Sequence, residues 1–83
     1  MLSEKARKVA KKARDLYDDE LREPLERDHH GNYVCIEPES GDYFVGATFD
    51  DAVNQAIDVH PDCLTHTLRI GFSAALHLGA AYQ

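Results

Sequence analysis

The 83-residue sequence has no tryptophan, one methionine, three prolines and only two cysteines, Cys35 and Cys63. Two thiols can form at most one disulfide, which excludes the dense disulfide framework of a small secreted scaffold. No apolar run is long enough to cross a bilayer, and the basic N-terminal stretch does not resemble a signal peptide. We therefore expect one small domain over residues 1–83, located in the cytoplasm, with no membrane association.

Basic residues are scarce after the first fourteen positions. Nine Lys and Arg against fifteen Asp and Glu give a net charge of −6, which argues against a general nucleic-acid binder. Six of the nine precede Asp15, and beyond His29 the only one is Arg69. The basic N-terminal segment is either a solvated helix face or a projecting arm over residues 1–12 that binds an acidic partner. DNA binding through Lys5 to Arg14 is an alternative.

The N-terminal quarter of the chain favours one long helix. Residues from Ser3, the candidate N-cap, to Arg22 are good helix formers without Gly or Pro. Apolar positions recur at helical spacing, most clearly from Ala13 to Leu21, and we expect that part to pack on the core. Pro24 is expected to end the helix at the preceding residue or to start a short turn, before a loop at residues 29–31.

The next stretch predicts a β-hairpin. Residues 33–36 alternate as a strand, with Val34 and Ile36 on one face. Residues 37–42 have the composition of a turn, and residues 43–45 form the returning strand. This hairpin is expected to supply most of the hydrophobic interior.

A second helix follows the hairpin. Thr48 is its predicted N-cap, because Asp51 lies three residues later, as in a capping box, and Pro61 ends it after His60. One face is apolar and is expected to cover the sheet, with Val34 and Ile36 beneath it. That face consists of Phe49, Ala52, Val53, Ala56 and Ile57.

A third strand is predicted between Cys63 and Phe72, with Leu68 and Ile70 facing the second helix. A short C-terminal helix is expected to begin near Ser73. The fold is therefore α+β: a long N-terminal helix and a three-stranded antiparallel sheet in the order 2-1-3, covered by one helix, in the sequence α-β-β-α-β with a short C-terminal helix. Two open sheet edges favour a homodimer.

Three residues spaced by three, His60, Cys63 and His66, could hold a metal ion. Structural zinc normally takes four ligands, and Cys63 and His66 would point to opposite faces of one strand. We therefore expect no metal and no cofactor. Thiol catalysis by Cys35 or Cys63 with His66 or His77 would need an orienting base and an oxyanion site that the sequence does not show. A small metal- or thiol-dependent enzyme is the alternative.

The preferred interpretation is a non-enzymatic protein-binding module. Arg69, isolated in an acidic half, is expected either to pair with Glu37 or Asp42 across the sheet or to belong to a partner-binding face. The predicted partner-binding residues are Lys8, Lys12, Tyr17, Tyr43 and Arg69.

Several short motifs carry a family resemblance. They are Leu25-Glu26, His30-Gly31, Tyr33-Val34, Ile36, Ser40-Gly41-Asp42-Tyr43, His60-Pro61-Asp62 and Arg69-Ile70-Gly71-Phe72. Together they resemble a family of short bacterial proteins without an assigned activity, associated with retropepsin-like aspartyl proteases. The stretch from Gly46 to Ala52 is similar to the strand-to-helix junction of HicB-type antitoxin domains, which have a small antiparallel sheet with a covering helix. These resemblances imply a protein partner, a protease or a toxin, and no reaction.

Overall fold

The computed structural model describes residues 4–72, which form four helical segments and three strands. The predicted cap Ser3 and the predicted C-terminal helix from Ser73 lie outside these residues. Among the described helices, none combines the length and apolar character that crossing a membrane would require. The elements are α1 (Glu4–Leu16), a π-helical segment (Tyr17–Leu21), α2 (Arg22–His29), β1 (Tyr33–Glu37), β2 (Asp42–Gly46), α3 (Phe49–Val59) and β3 (His66–Arg69).

The strands form one antiparallel sheet in the order β2-β1-β3, as predicted. Ile36 in β1 lies between Tyr43 of β2 and His66 of β3, and Tyr33 lies opposite Arg69. The third strand is shorter than expected, because residues 63–65 precede the ladder. The α+β class and the sheet order are confirmed.

Helices cover both faces of the sheet, whereas the sequence predicted one covering helix. Val34 and Ile36 face the N-terminal helices, while Cys35 faces α3. The expectation that Val34, Ile36, Leu68 and Ile70 lie beneath α3 was wrong. Because successive side chains of a strand point to opposite faces, these large side chains lie on the other face of the sheet from Cys35. On their face they pack with Ala13, Tyr17 and Leu25, and on the other face Cys35 packs with Ala52 and Ala56.

The apolar face of α3 is wider than the surface it buries. Ala52 and Ala56 are fully buried, but Phe49 is 52% exposed and Ile57 is 50% exposed. At about 100° per residue the apolar positions of this helix, from Val59 round to Ile57, span an arc of about 160°. Ala52 and Ala56, which lie between Val59 and the middle of that arc, meet the sheet. Ile57 lies at the far edge of the arc, and Phe49 is the first residue of the helix. The predicted burial of Phe49 and Ile57 was therefore wrong.

The helical chain continues through Pro24, which was expected to end it or to start only a short turn. The backbone N–H of Arg22 bonds the carbonyl of Tyr17, five residues back, which closes the π-helical segment. Pro24 then lies in the first turn of α2, directly after the π-helical segment, where it has no N–H to donate. The extra residue of the π segment thus allows the helix to run on to His29.

Tyr17 connects the N-terminal helices to the end of the described chain. Its side chain is fully buried, its hydroxyl donates to Glu26 Oε2 at 3.0 Å, and it accepts the Gly71 N–H at 3.2 Å. Burial is the main cause that raises the pKa of Tyr17, so the phenol stays protonated. Tyr17 cannot contact a partner at the surface, and its prediction as a partner-binding residue was wrong.

Removing this hydroxyl should destabilise the fold. We expect Tyr17→Phe to lower the free energy of unfolding by about 1–2 kcal/mol, because the Gly71 N–H and the Glu26 carboxylate both lose a partner. Urea unfolding at neutral pH measures this. Tyr43→Phe is the matched control, because Tyr43 is 45% exposed. Equal stability of the two variants would contradict the role of the Tyr17 hydroxyl.

The start of α3 has the predicted cap. Thr48 Oγ1 accepts the Asp51 N–H at 3.1 Å. Just before it, Gly46 passes so close to the helix that a Cβ atom there would lie 2.5 Å from the Ala52 nitrogen. A glycine is therefore required where β2 ends, and the threonine then begins the helix within two residues.

The cap should contribute measurably to stability. We expect Thr48→Ala to reduce the free energy of unfolding by about 1 kcal/mol, because the Asp51 N–H loses its acceptor. Thr48→Ser keeps a hydroxyl at the same position and should lose much less. Thermal and urea unfolding of the two variants check this, and similar losses in both would show that the hydroxyl does not act as the cap.

Candidate functional site

The predicted partner-binding residues do not form one surface. Lys8 and Lys12 are exposed on α1, where they line a groove with Pro38 of the hairpin turn. Tyr43 lies opposite Ile36 and therefore belongs to the sheet face that α1 covers. Arg69 lies on the other face, so these residues cannot all contact one small binding partner.

Arg69 does not pair with Glu37 or Asp42. The register of the sheet places it opposite Tyr33, at the far end of β1 from Glu37. Its Nε donates to the Gly31 carbonyl at 3.2 Å. The predicted cross-strand ion pair was therefore wrong, because strand register separates the charges.

The guanidinium of Arg69 instead lies among aromatic rings. Its Cζ is 5.6 Å from the ring centroid of Tyr33 and 4.4 Å from that of Phe72. Phe49 meets Tyr33 edge to face at 6.2 Å, and His30 contacts Phe72 at 5.3 Å. We call Tyr33, Phe49, Arg69 and Phe72 the aromatic–arginine surface.

This surface is accessible. Arg69 is exposed, Phe49 is 52% exposed and Phe72 is 36% exposed. Aromatic rings and arginine are the residue types enriched at energetically important positions of protein interfaces. Sequence reasoning identified Arg69 by its isolation, but it did not identify Phe49 and Phe72. Both had been assigned to regular elements, and only the strand register and the position of Phe49 at the start of α3 bring them together.

The two edges of the sheet differ. At the β2 edge, Gln55 of α3 donates from Nε2 to the Val45 carbonyl at 2.8 Å. That carbonyl is therefore covered by the protein's own side chain. Within residues 4–72, no further strand lies beside β3 and no other strand follows it.

A polar cluster occupies the hairpin end of the sheet. Glu37 is only 2% exposed, and its carboxylate accepts the N–H groups of Glu39 at 3.0 Å and Ser40 at 2.8 Å. Burial by itself would raise the pKa of Glu37, but hydrogen bonds from Ser40 and Glu39 and the nearby His60 outweigh it and lower the pKa. Glu37 therefore closes the turn as a carboxylate.

Two of the three predicted metal-ligating residues meet at this cluster. Ligand atoms of His60, Cys63 and Glu37 all lie within 4.8 Å of one another. The Cys63 N–H donates to the His60 carbonyl at 3.3 Å, which brings the thiol back toward the end of α3. Cys63 is exposed in this turn, so its prediction as an apolar strand residue was wrong; the second cysteine, Cys35, is buried in β1 as predicted.

The third predicted member, His66, lies elsewhere. It is opposite Ile36, on the sheet face covered by α1. Burial, and then the positive charge of Arg14, lower the pKa of His66. The proposed trio of His60, Cys63 and His66 is therefore not assembled.

Comparison of the chain with protein-family models, with curated proteins and with solved structures finds no match. The resemblances suggested by the sequence motifs therefore stay predictions.

The lowered pKa of Glu37 predicts a defined pH dependence. A carboxylate with a depressed folded-state pKa stabilises the fold above its ordinary value of 4.5, and this stabilisation is lost as the pH falls through the folded-state value. We expect Glu37→Gln to be less stable than the wild type by about 1 kcal/mol at neutral pH. The difference should shrink as the pH falls below 4.5 and disappear once Glu37 is protonated in both the folded and the unfolded chain.

Urea unfolding between neutral and acid pH measures this difference. Glu39→Gln is the matched control, because the Glu39 side chain is exposed and it is the backbone N–H of this residue that bonds the Glu37 carboxylate. A stability difference for Glu37→Gln that stays constant over the whole pH range would contradict the assignment.

Proposed function

We propose that this protein is a non-enzymatic protein-binding module that uses the aromatic–arginine surface. The observation that supports this is the position of Arg69, between the exposed ring of Phe72 and the half-buried ring of Tyr33. Within residues 4–72, Arg69 has no acidic partner. An arginine held in this way offers its remaining N–H groups to a ligand at little conformational cost.

The chemistry of the surface indicates the partner. A guanidinium binds a carboxylate through two parallel hydrogen bonds, and the rings of Phe49 and Phe72 offer apolar area beside it. The best ligand is an acidic segment of another protein with an apolar side chain next to its carboxylate. A chain with a net charge of −6 repels most acidic proteins over distance, so Arg69 selects by local contact.

We propose a retropepsin-like protease or a toxin as the first partner classes to test, because the sequence motifs resemble families associated with them. We place this interaction in the cytoplasm, a compartment in which the free thiols of Cys35 and Cys63 stay reduced.

A homodimer is a second part of the proposal. The β2 edge has its Val45 carbonyl covered by Gln55, so we favour pairing through the β3 edge. Light scattering measures the mass in solution. Thr67→Pro, which removes an N–H in β3, should shift a dimer toward monomer. A strictly monomeric wild type at high concentration would exclude this second part without affecting the first.

Partner capture tests the aromatic–arginine surface. Tagged wild-type protein and the variants Arg69→Glu and Phe49→Ala are compared in lysates of the encoding organism, and the captured protein is then purified. We expect the affinity for that purified partner to fall at least tenfold in both variants, because one loses the guanidinium and the other the apolar contact.

Arg27→Glu is the matched control. Arg27 is also exposed but lies on α2, where it contacts its neighbour Asp28. It should bind the partner as the wild type does. A partner that binds the wild type, Arg69→Glu and Phe49→Ala equally would show that the interaction uses another surface.

A further inference from the structure

We propose that Glu37, His60 and Cys63 form a binding site for a divalent transition-metal ion, with Zn²⁺ as the best fit. One carboxylate oxygen, one imidazole nitrogen and one thiol sulfur lie within 4.8 Å of one another. These are the three ligand types that zinc takes in proteins, and a thiolate with an imidazole disfavours Mg²⁺ and Ca²⁺.

The distances require only a small closure. Zinc bonds of 2.0–2.3 Å place tetrahedral ligand atoms roughly 3.3–3.8 Å apart. Atoms that lie within 4.8 Å of one another therefore need to approach by at most about 1.5 Å. Glu37 is held by two backbone N–H groups, whereas Cys63 is exposed in a turn. A rotation of the Cys63 side chain toward two preorganised ligands can therefore complete the site.

Both preorganised residues keep the capacity to bind an ion. Each oxygen of the Glu37 carboxylate accepts one N–H, and a carboxylate has about four acceptor positions in all. His60 contacts Asp42 Oδ2 through Nε2 at 2.8 Å, so an ion bound at Nδ1 would leave that contact in place. A carboxylate on the other ring nitrogen is the usual support of a metal-binding histidine.

Two members of the cluster, Glu37 and Cys63, also line a small acidic cleft. A cavity of about 80 Å³ is lined by Glu37, Cys63, Glu39 and Asp62, with Lys5 as its only basic residue among those described. The space is large enough for an ion with a bound water, and Asp62 is one of the residues that line it. The cleft therefore supplies a negative environment and a source for the fourth ligand.

An ion at this position would join three parts of the fold. Glu37 is the last residue of β1, His60 is the C-cap of α3 and Cys63 lies in the turn before β3. Because such a site exists only in the folded chain, binding should stabilise the fold.

Calorimetric titration of the reduced, chelator-treated full chain with ZnCl₂ tests the proposal. We expect one ion per chain, and at least a tenfold loss of affinity in both Cys63→Ser and His60→Gln. Titration with Co²⁺ should give the thiolate-to-metal absorption band in the wild type and not in Cys63→Ser. Saturating zinc should raise the melting temperature of the wild type by more than about 5 °C.

His66→Gln is the matched control, because His66 lies on the other face of the sheet and should leave zinc affinity unchanged. The melting temperatures of the metal-free variants verify that each chain is folded. Absence of stoichiometric binding would overturn the proposal. Binding that survives both Cys63→Ser and His60→Gln would also overturn it, because the ion would then be held by other residues.

Discussion

The burial of the central strand on both faces is the constraint on which the structure depends. Val34, Cys35 and Ile36 are all completely buried, so β1 must be covered from two sides by a chain of only 83 residues. The hairpin cannot do this with α3 alone. The N-terminal helices therefore belong to the core, and the fold is a three-layer arrangement with a very thin sheet. A chain of this length reaches adequate burial because successive residues of its middle strand are buried alternately against the N-terminal helices and against α3.

The same strand separates two chemically different regions. At its first residue, Tyr33 contacts Arg69 and Phe49, and at its last residue, Glu37 lies beside His60 and Cys63. Four steps along a strand separate these ends by about 13 Å. The antiparallel register pairs Arg69 with Tyr33. Arg69 therefore lies too far from the acidic residues of the hairpin end to neutralise them. A small domain thereby keeps an aromatic, cationic region and an acidic, thiol-containing region without mutual interference.

Local patterns in the sequence predicted the elements well, because their causes are local. The Thr48 cap, the alternation in β1 and the turn before Asp42 each depend on residues a few positions apart. The predictions that were wrong concern contacts between residues far apart in the sequence. The covering of Val34 depends on which helix reaches that face, and Pro24 lies inside a helix that contains a π-helical segment just before it. The proximity of Glu37 and Cys63 could not be predicted for the same reason, because the two residues are 26 positions apart and no periodicity connects them.

The side chain of Gln55 has a consequence for larger assemblies. By occupying the Val45 carbonyl it leaves the small sheet with one guarded side, whereas the four-residue β3 has no such guard among the described residues. Polymerisation into a continuous ribbon would need two receptive sides on every copy. The Gln55 amide thus removes one acceptor that an added strand would need at the β2 edge.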